Sequence, residues 1–487
     1  MTGPVTRKAG AALRWRATQL VGVQAIYFLR LLILARLLAP DAFGLLAIAT
    51  ISISAVLRLT NVGMVPALVQ RGDATLEQQD AAWTIVLVRA LFVALALLVT
   101  GPFIARLFDE PRAAMIIQAL ALRPLIDGLA SIGTARLTRE LRFRELAIIQ
   151  LPGVVVDLVV AVATAPALGV WALVAGALAG SVTTSIVSYV IAPHRPRLNF
   201  RWGEIASLVE YGHWVLAISI VALAGTLGTQ LAVSRTLGAT ALGLYFLAMK
   251  VAFLPIEAAS SVVGAVAFPM FASLHDDARA STRAFATMLT GLNLVLVPGY
   301  ALVFVLAPLL EQTLGGRWAG TAQIVQILAV AGVTAILGEL LVPLLMGRGR
   351  ADRALVLEAL QTGVLLLVLL PCLALLQVHG AALAWLIGNA ATVVLAVIWA
   401  RQMVPGALHG ARPRLVAAAV TAVVAAAAAG LVSAPLTGAV GLVAGGVAGV
   451  TTGALALWWM NARFGLRLEE FLGLLLAGGR DTDERGS

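Results

Sequence analysis

Runs of about 20 apolar residues, separated by short turns of basic or small residues, recur along all 487 residues of the chain. A run of that length is what an α-helix needs to cross the hydrocarbon layer of a membrane. Fourteen runs can be drawn, at roughly 17–37, 42–68, 79–107, 113–137, 146–165, 168–192, 213–236, 240–262, 283–312, 320–345, 352–376, 379–402, 414–433 and 438–462. The last two are divided only by the breaker Ser433-Ala434-Pro435. The pattern predicts an all-α, polytopic membrane protein with about 14 transmembrane helices.

One turn is written twice. Ala35–Ala49 reads ARLLAPDAFGLLAIA, and 199 residues later Ser234–Ala248 reads SRTLGATALGLYFLA. Arg36 falls on Arg235 and Gly44 on Gly243, and Leu38, Ala42, Leu45 and Ala49 also find their like. Each copy ends one span with an Arg, turns through small residues and opens the next span with a Gly. Six spans separate the copies, an even number, so both have the same orientation and the repeat is parallel. The expected organisation is an N-terminal bundle at 1–192 (helices 1–6), a linker at 193–212, a second bundle at 213–402 (helices 7–12), and helices 13–14 with a tail at 403–487. In the linker, Trp202, Ile205, Leu208 and Val209 recur at helical spacing, which fits either an amphipathic helix lying in the inner interface or a solvated linker with a few anchors. Gly441, Gly445, Gly449 and Gly453 in span 14 face an alanine-rich span 13, which predicts close packing of that pair. Gly176 and Gly180 give span 6 a similar small face.

Composition strengthens the membrane reading. Hydrophobic residues make up 61% and charged residues 12%, against roughly 25% charged in soluble chains. The net charge of +10 could suggest nucleic acid, but the basic residues are placed otherwise. With the N-terminus inside, 24 of them fall on inner loops and tails and 5 on outer edges. That asymmetry orients a membrane protein with both termini in the cytoplasm. The single cysteine, Cys372, excludes a disulfide framework, and the five scattered histidines give no metal site. Neither a P-loop nor G-x-G-x-x-G nor H-E-x-x-H occurs, so no catalytic residue is assigned.

The candidate chemistry is therefore the charge inside the spans: Arg30, Arg58, Arg89, Arg123 and Lys250 against Asp127, Asp157, Glu257, Glu339 and Glu358. A charge at a helix centre costs about 2.5–3.5 kcal/mol on insertion scales, so each needs a partner or a wet cavity. Arg123 and Asp127 are four apart and can pair, and Lys250 and Glu257 share a face at two turns. Arg89, Arg123 and Lys250 lie about 10 residues into their spans, or ~15 Å deep. Cations at that depth suit an anionic substrate, and Arg30, Arg89, Lys250, Arg58 and Arg123 are the candidate substrate-binding set. Asp127, Asp157 and Glu339 are candidates for ion coupling or charge pairing. Structural pairing or snorkelling remains the competing reading for each.

These motifs carry a resemblance. ARLLAPDAFGLLAIA, RELRFRELAIIQ (Arg139–Gln150), RTLGATALGLYFLA and LGGRW (Leu314–Trp318) resemble the polysaccharide transporter family. Its members are bacterial flippases of lipid-linked oligosaccharides within the multidrug/oligosaccharidyl-lipid/polysaccharide superfamily. The resemblance implies two six-helix bundles around a V-shaped cavity, with helices 13 and 14 appended. It implies an undecaprenyl-diphosphate-linked sugar unit, turned from the cytoplasmic to the periplasmic leaflet of the bacterial inner membrane by alternating access. The products served would be exopolysaccharide, capsule or O-antigen, with polymerase machinery as a further partner and no cofactor beyond a proton or sodium gradient. Relatives often carry Asn or Asp late in span 7, where this chain has Gly228-Thr229-Gln230. The alternatives are a cation-coupled multidrug exporter on the same fold and a membrane-embedded glycosyltransferase or polymerase. Arg30 and Arg89 would repel cationic drugs, and loops of about 20 residues are too short for a catalytic domain.

Overall fold

The computed structural model describes residues 4–60, 76–140, 142–199, 212–274, 277–407 and 411–464. Among these residues the structure is almost wholly helical, with no strand. By length and apolarity, 11 helices among the described residues qualify to cross a membrane, or 12 if one bent pair counts as a single span. The count of fourteen is thus not established, and three breaks in regular helix bear on it.

The first is in the run at 113–137, expected as one span. It forms three short helices, Ala113–Leu120, Leu122–Gly128 and Gly133–Arg139, with a bend of 64° at the last break. Backbone groups freed by such a break must find partners inside the protein, because lipid offers none. They do so on the neighbouring helix Val170–Ile191. Ser185 donates to the Ile126 carbonyl at 2.9 Å, Tyr189 to the Leu129 carbonyl at 2.8 Å, and Ser188 Oγ accepts from the Ser131 amide at 2.9 Å.

The other two breaks lie in and just after the second copy of the repeat. Gly212–Ala252 is two helices joined across a kink at Gly238, which has φ 83° and ψ 176°, a conformation open only to glycine, and the kink falls between the expected runs 213–236 and 240–262. The chain then breaks again at Phe253 before Leu254–Ser273, so the eighth helical stretch continues beyond the expected end at 262. The separation of the last two helices is as the breaker predicts, with Ala411–Ser433 followed by Gly438–Phe464. Most of the predicted linker helix, 200–211, lies outside the described residues, as does the tail from 465.

Contacts divide the chain into two compact units: Met1–Leu223 with Ser234–Gly243, and Ala224–Val233 with Leu244–Ser487. Gly212–Ala252 contributes to both. In the first unit, a Cβ on Gly180 would stand 2.7 Å from the Gly153 carbonyl oxygen, so the small face of Val170–Ile191 seats Phe143–Leu168 at close range. Just beyond the end of Val170–Ile191, His194 meets Asp80 at 2.9 Å and fixes the chain leaving the bundle to the start of Leu76–Leu107.

In the second unit, the last two helices pack as their small residues predict. A Cβ on Gly445 would meet the Ala429 carbonyl oxygen at 3.0 Å, and one on Gly449 the Ala425 carbonyl oxygen at 3.0 Å. Leu302, Leu306 and Leu309 of Ala278–Leu314 press on Gly449, Gly445 and Gly441 in turn, which docks the pair on that helix. The opposite face, with Val440, Val443, Val447 and Val450, is exposed and apolar, as a lipid-facing surface should be.

Candidate functional site

The two written copies of the turn meet each other inside the first unit. A Cβ on Gly44 would overlap the carbonyl oxygen of Ala239, and a Cβ on Gly243 would overlap that of Pro40. Residues 40 and 239 are themselves equivalent in the repeat, so the contact is reciprocal about a local two-fold. Only glycine at both positions lets the backbones touch. The turn at 108–112 ties the clasp together. Ser234 donates to the Phe108 carbonyl at 2.7 Å and the Ala239 amide to Glu110 at 3.3 Å, while Arg112 bridges Glu110 and Asp41 at 3.1 and 3.3 Å. The Glu110 hydrogen bond also holds the Arg112 guanidinium above its ordinary pKa.

Four of the intramembrane charges form one cluster in the first unit. Arg30 Nε lies 2.9 Å from Asp157 Oδ1, and its Nη2 lies 3.4 Å from the Leu173 carbonyl oxygen. Asp157 is 7% exposed, and Gly176 on the facing helix leaves the space that its carboxylate fills. Arg123 stands near enough to act on the same carboxylate, and it pairs with Asp127 at 3.8 Å on its own helix. Ser181 hydrogen-bonds Asp127. Two guanidinium groups thus meet two carboxylates. The partner of Asp157, which sequence spacing could not supply, is Arg30.

Arg89 has a different use. Its Nη2 donates to the Leu57 carbonyl at 3.0 Å and its Nε to Thr60 Oγ1 at 3.2 Å, which caps the C-terminal end of Pro40–Leu59. A cation there meets the partial negative charge of the helix end. Arg348 does the same in the second unit, donating to the Met403 carbonyl at 2.7 Å. Arg58 is exposed in the last turn of Pro40–Leu59. Lys250 pairs with Glu257 at 3.7 Å, both about half exposed, across the break at Phe253. Gln230 is 7% exposed and its Oε1 has no hydrogen-bond partner among the described residues.

Glu339 sits elsewhere, in a half-open cleft of about 410 Å³ lined by residues of the second unit. Sequence reading did not gather its companions there: Glu358, Gln361, Asn389 and the ring of Trp385. No Lys, Arg or His lines this space among the described residues. The one signal available was that Gln361 and Asn389 are carboxamides within apolar runs. Among the described residues no three His, Cys, Asp or Glu side chains converge as metal ligands.

The family model described as polysaccharide biosynthesis protein matches residues 33–323. The chain belongs to that family. The lipopolysaccharide biosynthesis protein WzxC of Escherichia coli K12 is 24% identical over 352 residues, covering 71% of each chain. The succinoglycan biosynthesis transport protein ExoT of Rhizobium meliloti is 25% identical over 348 residues, covering 71% of this chain and 70% of its own. Among solved structures, the lipid II flippase MurJ in an inward closed conformation superposes with a TM-score of 0.66 at 9% identity, over 91% of this chain and 97% of its own. An inward-facing multidrug transporter of the MATE family gives 0.64 at 16% identity, over 80% of this chain and 98% of its own. At such identities the structures speak for the fold alone, an all-α fold of many membrane-crossing helices.

Proposed function

We propose that this chain is a flippase that moves an undecaprenyl-diphosphate-linked oligosaccharide from the cytoplasmic to the periplasmic leaflet by alternating access, for exopolysaccharide, capsule or O-antigen synthesis. The observation that carries the reading is the family match at 33–323, joined to relatives named for polysaccharide synthesis and transport. A fold shared with a lipid II flippase supports it. No catalytic residue is needed, because the work is translocation.

The setting follows from the same reading: the bacterial inner membrane, both termini in the cytoplasm, two like-oriented six-helix halves, and polymerase machinery as the consumer of the product. Within the first unit, the cations best placed to meet a diphosphate are Arg58 and Arg123, which are exposed and half-exposed. Arg30 and Arg89 are committed to Asp157 and to a helix end, so we assign them to building the bundle. Lys250 can exchange Glu257 for a phosphate, the pair being long and half-exposed. Transport coupled to a proton or sodium gradient completes the reading, with Asp127 as the acid whose partner is most loosely held.

Deleting the gene in its host tests this. Surface polysaccharide should disappear while the lipid-linked unit accumulates, inaccessible from the periplasmic side. Normal surface polysaccharide after deletion, with no second copy of the gene, would overturn the reading. Loss of resistance to organic cations in its place would favour the exporter alternative.

A further inference from the structure

The cavity beside Glu339 is a ligand site by its construction, and its ligand can be read from its walls. It lies where four helical segments of the second unit meet: the break at Phe253, the stretch Thr334–Pro343, the face carrying Glu358 and Gln361, and the face carrying Trp385 and Asn389. Gly388 lets the last two approach, since a Cβ there would stand 2.9 Å from the Gln361 carbonyl oxygen. At about 410 Å³ the space falls within the range of small-molecule pockets, which begins near 300 Å³.

Three features narrow the ligand. Glu339 offers carboxylate oxygens, which accept hydrogen bonds. Asn389 is 3% exposed and its Nδ2 has no partner among the described residues, so it offers a buried donor that requires an acceptor. Trp385 and Phe253 stand with ring centroids 4.9 Å apart at 55°, giving an aromatic wall. A bare metal ion or a tetraalkyl- or tetraarylonium cation could answer the carboxylate but leaves the Asn389 amide unanswered, because neither carries an acceptor. A sugar hydroxyl both donates and accepts, and the C–H face of a pyranose ring covers an aromatic surface. Both threonine hydroxyls in the wall, Thr334 and Thr392, already donate to their own helix carbonyls at 2.7 Å and are left as acceptors for such hydroxyls.

We propose that this cavity binds one pyranose ring, stacked on Trp385, with its hydroxyls shared between Glu339, Gln361 and Asn389. Only the origin of that ring, as part of the transported glycan, rests on the flippase reading. The second unit then selects the sugar, while the phosphate is met elsewhere.

The test uses full-length protein in lipid nanodiscs free of glycoside detergent. Saturation-transfer NMR is recorded with methyl glycosides of glucose, galactose and N-acetylglucosamine as probes. Transfer to the ring protons of at least one is expected. Trp385→Leu and Asn389→Leu should each weaken it about tenfold, as loss of a stacking face or a buried hydrogen bond would. Trp385→Phe should restore it, and unchanged thermal unfolding would show that each variant is folded. Absence of transfer from all three glycosides, or transfer that survives both leucine variants, would overturn the assignment. So would stabilisation by tetraphenylphosphonium, or by sodium over choline, that depends on Glu339 and is not matched by any glycoside. Wild-type protein that fails to flip lipid-linked glycan would sink the proposed function and leave this binding readout intact.

Discussion

In the first unit Asp157 and Asp127 each have an arginine beside them, at 2.9 and 3.8 Å. In the second unit Glu339 faces a cavity whose described walls carry no basic side chain. Both arrangements place carboxylates among apolar helices, yet they solve the cost in different ways. A buried charge with a fixed partner is held in one geometry, and breaking the pair strands the survivor. A carboxylate facing a cavity keeps its hydrogen-bonding capacity for something that enters. Intramembrane charge is thus a poor guide to function until its partner is known.

The largest effect that can break this comparison comes from separating Arg30 and Asp157. Asp157→Ala should lower unfolding stability by about 3–5 kcal/mol, because the guanidinium is left buried alone, and Arg30→Met should restore much of it in the double variant. Thermal unfolding in nanodiscs reads both, and additive losses would contradict the pairing. Next comes the clasp. Gly44→Val and Gly243→Val should each cost about 1–3 kcal/mol, alike because the contact is reciprocal, while Gly22→Ala, whose nearest neighbour is Leu151 at 3.7 Å, should cost little. A large effect at only one of the two glycines would break the symmetry. Arg89→Met should cost about 1 kcal/mol through the lost helix cap, with part retained by Arg89→Lys. The smallest effect belongs to the cavity. Glu339→Gln should leave unfolding within about 0.5 kcal/mol while weakening glycoside binding. A loss as large as that of Asp157→Ala would make Glu339 another structural charge and erase the difference between the units.

Much of the helical fold was legible because membrane burial imposes a length and an apolarity on each helix. The glycine stripe of the last helix and the pairing of Arg123 with Asp127 and Lys250 with Glu257 followed from spacing along one chain segment. Arg30 with Asp157 did not, since the partners are 127 positions apart and only packing joins them. Arg89 was legible as deep but not as a cap, because the accepting carbonyl at Leu57 has no side-chain signature. The bend near Gly128 escaped for the same reason: the chain stays apolar through it, and the serines that make it tolerable lie on another helix. The repeated turn was visible as two strings. What the structure adds is that Gly44 and Gly243 are glycine because each faces the other copy.

Purified protein in proteoliposomes, with fluorescent undecaprenyl-diphosphate-linked saccharide as substrate and impermeant dithionite as quencher, tests flipping most directly. In empty liposomes about half of the signal, that of the outer leaflet, should be quenched, since the lipid distributes over two leaflets. With the protein, quenching should proceed towards completion, and a phospholipid probe should stay half-protected. Quenching that stops at the outer leaflet with the host's own lipid-linked saccharide, or that scrambles both lipids equally, would contradict the account.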